Sequence, residues 1–308
     1  MTLEEKRLTL LTLAQAASKH VFAASDPSFK GKLKKLADHG VRYLAYHTLM
    51  SLGKRWRPKN FRVQTFWQKE LLLSLEEAES LYYYGTLSRE EQPSILFLLE
   101  HLKEKDVFFD IGAHYGFYTS LARELITQGE IHAFEPSPKI FQYLDAVFSG
   151  GGKNIFLNNV ALSDCKGSLP FFDGSAEGES GSGTLLKNVA QQNISTYQEI
   201  SVDVTTLDEY VRARKHPTII KLDVEGSEFN IIQGGQHTLE KSSPIILMEV
   251  WRGKIGEKFS LPAIRALYEL GYQSFGITSS GELVHIPNLV PSGDKNYAWG
   301  SNFVFKKK

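Results

Sequence analysis

The feature that most constrains the fold is an alternation of short apolar runs and helical stretches that begins at residue 107. The apolar runs fall at 107–109, 130–134, 155–157, 218–222 and 245–248, and helices are predicted at 117–125 and 137–149. Alternation of this kind predicts a parallel sheet covered by helices on both faces. A helix at 264–270 and final strands at 272–277 and 302–305 complete an α/β, doubly wound, mostly parallel sheet.

Residues 1–90 precede this pattern and are predicted to form a helical module, which leaves 91–308 as a Rossmann-like domain. Apolar residues recur at helical spacing over 3–24, about 30–52 and 67–84. Charge divides the chain as well, because residues 1–60 carry twelve Lys and Arg against four Asp and Glu, and the remainder carries 23 against 31. A basic module ahead of an acidic domain predicts that the module recruits an anionic partner, or alternatively that its basic residues dock on the acidic domain or face solvent.

Composition and termini exclude several classes of protein. With 42% hydrophobic and 12% aromatic residues, the chain has enough apolar material for a packed core. Cys165 is the one cysteine, which excludes an intramolecular disulfide and a cysteine metal cluster. The sequence has no apolar run of membrane-spanning length, and its charged start at Glu4 is unlike a signal peptide. We therefore expect a globular, cytoplasmic protein.

Acidic residues fall repeatedly at the predicted carboxyl ends of the strands. They are Asp110, Glu135, Asp223 and Glu249. In an open parallel sheet, ligands bind beyond these ends. The repetition therefore predicts one binding site at this edge of the sheet, since four unrelated surface acids would not follow the strand pattern.

The turn after the first of these strands indicates a nucleoside ligand. Gly112 lets the backbone turn sharply, and Gly116 lets the next helix pack closely on the strand. Glu135 follows Gly112 by 23 residues, the spacing at which an acid accepts the ribose hydroxyls. His114 stands where a pyrophosphate-binding turn has a second glycine, although His is among the residues that tolerate a left-handed backbone. The turn thus disfavours NAD and FAD and suits a nucleoside with an amino-acid tail, whose ammonium group Asp110 would hold.

Five segments of the chain resemble the FkbM family of methyltransferases. They are residues 110–119, 133–138, 159–164, 219–228 with Gly234, and 244–250. The resemblance implies a class I methyltransferase fold, S-adenosylmethionine as the cofactor, and methylation of a hydroxyl, often on a sugar. It also implies that Ser163 and Asp164 lie near the adenine. The expected acceptor is therefore a glycan or a lipid-linked sugar.

Three carboxylates, Asp223, Glu225 and Glu249, are the candidates for catalysis. Methyl transfer needs alignment and a deprotonated oxygen nucleophile, so one of these acids is positioned to act as the base. Alternatively, the three hold a divalent cation, Mg²⁺ or Mn²⁺, that lowers the pKa of the acceptor hydroxyl. Lys221 lies in an otherwise apolar strand and is expected to pair with one of the acids. Glu228 is interpreted as an acid that stabilises the start of the following helix.

Two other enzyme classes are weighed against this interpretation. A nicotinamide-dependent oxidoreductase or epimerase of the short-chain type needs Tyr-x-x-x-Lys, and the sequence has no such pair. Amino-methylating nucleic-acid enzymes usually carry an Asn/Asp-Pro-Pro-Tyr/Phe loop where this chain has Asp223-Val224-Glu225-Gly226. The basic start still leaves RNA open as a partner. The glycine-rich segment 174–183 is predicted to be a mobile lid over the site.

Overall fold

The computed structural model describes residues 2–24, 35–150, 152, 154–174, 183–193, 197–291 and 302–308. The N-terminal region contains α1 (Leu3–Ala24), α2 (Val41–Ser51), the hairpin strands β1 (Phe61–Gln64) and β2 (Glu70–Leu73), and α3 (Glu79–Tyr84). Of the predicted helices, 3–24 is confirmed with the same bounds. Gly85 ends α3 with a left-handed backbone, as its sequence position indicated.

The predicted helix over 67–84 is wrong in its first half. Residues Glu70–Leu73 pair with Phe61–Gln64 as an antiparallel hairpin, and only the last six residues are helical. The segment is rich in Leu and Glu, which favour helix in isolation. Tertiary packing overrides this preference, because Leu71 and Leu73 are buried in the core of the protein.

A mostly parallel sheet of eight strands forms the centre of the fold. In chain order the strands are β3 (Val107–Ile111), β4 (Glu130–Phe134), β5 (Ile155–Asn158), β9 (Ile219–Leu222), β10 (Ile245–Glu249), β11 (Gln273–Ile277), β12 (Leu283–Ile286) and β13 (Asn302–Lys306). Their spatial order is β12-β11-β13-β10-β9-β3-β4-β5. In this order the neighbouring strands β10, β9, β3, β4 and β5 are parallel to one another. Strand β13 lies between β10 and β11 and is antiparallel to both. The predicted fold class is confirmed.

The order of the strands determines where a ligand can enter. From β3 the chain runs outward through β4 and β5 and then returns to β9 on the opposite side of β3. The connections therefore leave β3 and β9 in opposite directions and open a crevice beyond their carboxyl ends. The predicted site residues that follow β3 and β9 meet at this crevice.

Helices cover both faces of the sheet, as the alternation predicted. In chain order the helices that follow residue 91 are α4 (Gln92–His101), α5 (Phe117–Arg123), α6 (Pro138–Phe148), α7 (Lys187–Asn193), α8 (Leu207–Val211), α9 (Glu228–Gln233), α10 (Gln236–Ser242) and α11 (Gly253–Glu269). Successive strand residues point to opposite faces, so Phe108 belongs to one core and Phe109 to the other. The side of Phe108 is covered by α4, α5 and the N-terminal region, and the side of Phe109 by α8 to α11.

The N-terminal region shares its core with the Rossmann-like domain. Leu10 of α1 and Leu71 of β2 lie in the same apolar cluster as Phe97 of α4 and Phe108 of β3. Arg7 of α1 donates hydrogen bonds to the carbonyls of Leu99 and Leu102 at the end of α4. The core therefore has no break near residue 90, and a separate role for residues 1–90 stays a prediction.

A second, smaller sheet lies between β5 and β9 in the chain. It consists of β6 (Ala161–Leu162), β7 (Gly167–Asp173) and β8 (Gln198–Thr205), in the order β6-β8-β7. This sheet was not predicted from the sequence, and it forms one wall of the crevice. The predicted lid at 174–183 lies almost entirely outside the described residues. Among the helices that the structure describes, none has the length and apolar character needed to cross a bilayer.

Candidate active site

The turn that follows β3 brings the backbone close to the end of β9. Gly112 has a φ of +83°, and a Cβ placed on it would lie 1.8 Å from the carbonyl oxygen of Asp223. Only glycine fits this approach. Gly116, with a φ of +80°, would place a Cβ 2.4 Å from the ring of Phe148 in α6. His114 adopts the left-handed backbone that its position indicated, with a φ of +52°.

Asp110 is buried beneath this turn at the end of β3. Its side chain is 1% exposed and accepts a hydrogen bond from Thr119 Oγ1 at 2.6 Å. Burial raises the pKa of Asp110 to about 6, because the charged form loses its hydration. The carboxyl is thus fixed in one orientation by α5, and its predicted contact with an ammonium group stays a prediction.

Glu135 follows β4 and faces the same turn. Its oxygens accept hydrogen bonds from the backbone N–H groups of His114 at 3.1 Å and Ser137 at 2.8 Å. Burial outweighs these hydrogen bonds and raises the pKa of Glu135 to about 8. Two backbone donors hold both oxygens in place, which is how an acid is preorganised to accept a pair of hydroxyls.

Two adjoining cavities open between the turn, Glu135 and the smaller sheet. The polar one has an empty volume of about 590 Å³, and the apolar one about 340 Å³. Gly112, Pro136, Phe171 and Gly183 line both. The polar cavity is also lined by His114, Glu135, Ser137, Asp173, Asp223 and Glu225, and the apolar one by Val160, Ala161, Leu162, Leu185 and Val224 among others. This arrangement can hold a flat apolar ring beside a polar chain.

Ser163 and Asp164 lie beside the apolar cavity, but they are not among the residues that line it. The backbone N–H of Ser163 donates to Thr205, and its hydroxyl donates to Asp164 at 3.2 Å. Asp164 is exposed and accepts from Asn230 Nδ2 at 3.0 Å. Val160, Ala161 and Leu162, which directly precede them in the chain, line this cavity instead. The contact of Ser163 and Asp164 with adenine stays a prediction.

The three predicted catalytic carboxylates meet at the carboxyl ends of β9 and β10. One oxygen from each of Asp223, Glu225 and Glu249 lies within 4.8 Å of the others. Lys221 is 1% exposed and its Nζ lies 2.7 Å from Asp223 Oδ2, so its expected pairing with one of the acids is confirmed. Glu225 has a left-handed backbone, with a φ of +55°. Oxygen ligands at such spacing fit a divalent cation, and they equally fit proton transfer.

The surroundings of the three acids shift their pKa values in different directions. Burial alone would raise the pKa of Asp223, but the ammonium of Lys221 outweighs it and holds the pKa below its usual value. Burial and the neighbouring charge of Asp223 raise the pKa of Glu225 to about 8. The same two causes raise the pKa of Glu249 well above its usual value. Asp223 is therefore the acid that is held most firmly in its ionised form.

A buried network behind the acids was missed by the sequence analysis. Glu91 accepts hydrogen bonds from Tyr118 Oη and, at 2.9 Å, from Asn302 Nδ2. Its charge and that of Asp223 raise the pKa of Lys221, against the effect of burial, and the ammonium lies 5.2 Å from the centre of the Tyr118 ring. In the sequence, Glu91 was indistinguishable from an acid that favours a helix start.

Two neighbours complete the surroundings of the acids. Trp251 Nε1 donates to Glu249 Oε2 at 3.0 Å and so orients that carboxyl group. Glu228 is 3% exposed and accepts from the backbone N–H groups of Val224 and Gly226, both at 3.3 Å. Its contacts are thus with the turn before its own helix, in line with the structural role expected for it.

Comparison with known proteins gives a consistent result. Residues 110–274 match the family model described as the methyltransferase FkbM domain. The chain is 26% identical over 167 residues to the hexuronic acid methyltransferase AglP of Haloferax volcanii, covering 54% of this chain and 64% of that protein. It is 28% identical over 194 residues to the 2-O-methyltransferase NoeI of Sinorhizobium fredii, covering 58% of this chain and 79% of that protein. The chain thus spans slightly less than two thirds of AglP.

Among solved structures, the chain resembles a methyltransferase FkbM from Methylobacillus flagellatus. The TM-score is 0.43 and the identity 13%, with 75% of this chain and 53% of that chain covered. A SAM-dependent O-methyltransferase from Thermotoga maritima has a TM-score of 0.39 and 11% identity, with 82% of this chain and 78% of that chain covered.

Proposed function

We propose that this chain, which belongs to the FkbM methyltransferase family, transfers a methyl group from S-adenosylmethionine to a hydroxyl of a sugar. The observation that carries the proposal is the group of three carboxylates, Asp223, Glu225 and Glu249, beside the cleft that the turn after β3 and Glu135 form. The names of AglP and NoeI, one acting on a hexuronic acid and one a 2-O-methyltransferase, support a sugar hydroxyl as the acceptor.

The residues of the crevice fit S-adenosylmethionine in charge and shape. The apolar cavity suits an adenine ring, and Glu135 between two backbone donors suits the ribose hydroxyls. Asp110 lies at the end of β3, below the turn, and is the acid that we assign to the ammonium group of the amino-acid tail. Gly112 lets this turn approach the carbonyl of Asp223 closely. When bound, the cofactor supplies a methyl group on a positively charged sulfur.

Within the carboxylate group, Glu225 is the best suited to receive the proton of the acceptor hydroxyl. A general base works best when its pKa lies near the pH of the reaction, and the pKa of Glu225 is about 8. Asp223, held ionised by Lys221, is a weaker base and instead supplies negative charge beside the proton acceptor. Glu249, oriented by Trp251, completes the group.

The same three oxygens suit Mg²⁺ or Mn²⁺, which are hard cations that prefer carboxylate ligands. Such a cation would hold all three acids ionised and lower the pKa of the acceptor hydroxyl. The charges favour cation binding. Among the described residues of the site, three carboxyl groups face one buried ammonium group, that of Lys221. We therefore propose that the acids hold a metal ion or act directly as the base, two roles that chelation separates.

The test compares Asp223→Asn and Glu225→Gln with the unmodified protein in methyl transfer to a panel of sugars. We expect each variant to bind S-adenosylhomocysteine and to lose activity by about 10²–10⁴-fold, the usual effect of losing a general base. EDTA followed by Mg²⁺ or Mn²⁺ restores activity only if the acids bind a cation. Glu130→Gln, at the opposite end of the sheet, is the matched control and should be active. Full activity in both site variants would reject the proposal.

A basic N-terminal region also leaves RNA as a second candidate acceptor. The supporting observation is the charge of residues 1–60, with twelve Lys and Arg against four Asp and Glu. RNA therefore belongs in the acceptor panel beside glycans and lipid-linked sugars. Methyl transfer to RNA that depends on the three carboxylates would replace the sugar proposal. The cytoplasmic location expected from the single cysteine stays a prediction.

A further inference from the structure

The side of α2 that points away from the core carries exposed aliphatic side chains. Its buried side carries Tyr46, whose hydroxyl donates to the carbonyl of Leu75. The opposite side presents Val41, Leu44, Ala45, Thr48 and Leu52, which helical spacing places on one face. Val41 is 83% exposed and Leu44 59% exposed. This face carries no charged side chain, which is unusual for a helix surface in contact with water alone.

An exposed tryptophan and exposed basic residues follow α2 in the chain. Trp56 is 69% exposed, and the guanidinium of Arg55 lies 4.9 Å from the centre of its ring. We call Val41, Leu44, Ala45, Thr48, Leu52 and Trp56 the outer face. Arg55 and Lys59 are exposed, and neither forms a salt bridge within the part of the chain that the structure describes.

The segment of the chain that carries the outer face contains basic residues and no acidic ones. From residue 39 to residue 69 the sequence contains seven Lys and Arg and no Asp or Glu. Three of these charges are paired within the protein, because Arg57 pairs with Glu76 at 2.9 Å, Arg62 with Glu70, and Lys69 with Glu124 at 3.8 Å. Arg57 also donates to the carbonyls of Leu52 and Met50 and so fixes the segment that carries Trp56.

The apolar side chains and the basic residues together indicate which kind of partner binds the outer face. A second copy of the chain would bring two basic surfaces together, which is unfavourable. RNA would use the charges and leave the apolar side chains in water. An anionic bilayer surface uses both, because phosphate headgroups attract the Lys and Arg while the apolar side chains and the indole enter the interface. The face thus matches the chemistry of a membrane surface better than that of either alternative.

The outer face is connected to the crevice through short contacts. The carbonyl of Lys59 accepts a hydrogen bond from Tyr143 of α6 at 2.6 Å, and α6 begins directly after Ser137, which lines the polar cavity. Tyr115, in the turn after β3, donates to Ser74 Oγ at 3.1 Å. The region that carries the face is therefore packed directly against the elements that form the site.

We propose that the outer face, together with Arg55 and Lys59, docks the protein peripherally on an anionic membrane surface. The inference goes beyond methyl transfer and does not depend on it, since docking needs neither cofactor nor acceptor. It gives the basic start of the chain a specific use, which is to hold the crevice close to headgroups or to sugars attached to lipids.

The test is co-sedimentation of the full chain with vesicles of phosphatidylcholine alone or with about one third phosphatidylglycerol. We expect binding to the anionic vesicles, weaker binding at high salt, and a blue shift of tryptophan emission that Trp56→Phe removes. Arg55→Ser with Lys59→Ser should weaken binding by about 25-fold, about fivefold for each charge. Val41→Ser with Leu44→Ser should weaken it by at least about tenfold.

The matched control is Val284→Ser, since Val284 on β12 is 41% exposed and lies on the far edge of the sheet. It should bind vesicles like the unmodified protein, and all variants should retain the same affinity for S-adenosylhomocysteine. Absence of vesicle binding would overturn the proposal. Binding that responds to the charges but not to Val41 and Leu44 would also overturn it. So would a dimer in light scattering that Val41→Ser with Leu44→Ser dissociates, because a second copy would then cover the face.

Discussion

The pH dependence of cofactor binding follows from the environment of Glu135. Burial raises its pKa to about 8, so in the ligand-free protein this carboxyl group is largely protonated at neutral pH. Ribose hydroxyls donate to carboxylate oxygens, and they are held best by the ionised form. Binding must therefore release a proton, and the affinity for S-adenosylhomocysteine must rise with pH and level off above about pH 8.

The size of the effect follows from the pKa and from the strength of the hydrogen bonds. With a pKa of about 8, about one carboxyl group in a hundred is ionised at pH 6 and about one in two at pH 8. Charge-assisted hydrogen bonds contribute about 1.5–3 kcal/mol, which limits the gain. We therefore expect the affinity to increase by about sixfold to thirtyfold over this range, since the ionised fraction itself rises by only about fiftyfold.

The assay is calorimetry of S-adenosylhomocysteine binding at several pH values, in buffers with different ionisation enthalpies. Glu135→Gln should remove the proton release and the part of the pH dependence that Glu135 causes. It should also bind more weakly at high pH, because an amide NH₂ would face a backbone donor at His114 or Ser137. Glu225→Gln is the matched control, since Glu225 lines the same cavity with a similar pKa. A pH-independent affinity, or an unchanged profile in Glu135→Gln, would refute the reasoning.

Two further predictions concern stability. Lys221→Met leaves Asp223 without its buried partner and should lower the free energy of unfolding by about 3–5 kcal/mol. Urea unfolding measures this loss, and adding Asp223→Asn should recover part of it. Gly116→Ala should lower the melting temperature much more than Gly271→Ala. The two glycines have similar φ angles of +80° and +84°, but only a Cβ on Gly116 would lie against Phe148. Equal shifts in melting temperature would contradict the packing argument.

The sequence predicted the central sheet well because its strands are short, apolar and buried on both faces. The strand at 130–134 was predicted with its observed bounds. The spacing from Gly112 to Glu135 also predicted an acid at this turn, and the structure has Glu135 in contact with the backbone of His114 there. In these cases a local pattern carries the information, because the turn and the strand ends follow each other directly in the chain.

Features that depend on distant contacts were not predictable in the same way. The strand β7 begins with exposed residues and contains Pro170, so its pairing with β8 leaves little trace in the sequence. The hairpin of β1 and β2 was hidden by residues that favour helix. Glu91 gains its importance from Asn302, which is 211 residues away in the chain. Such partners become visible only when the fold brings them together.

The most direct test of the account is to incubate the protein with methyl-labelled S-adenosylmethionine and a panel of hexuronic acids, neutral glycans, lipid-linked sugars and RNA. We predict that the label enters a sugar hydroxyl as an alkali-stable ether, and that Asp223→Asn and Glu225→Gln abolish the transfer while Glu130→Gln does not. Label found only in RNA, or transfer to sugars that persists in both site variants, would contradict the account.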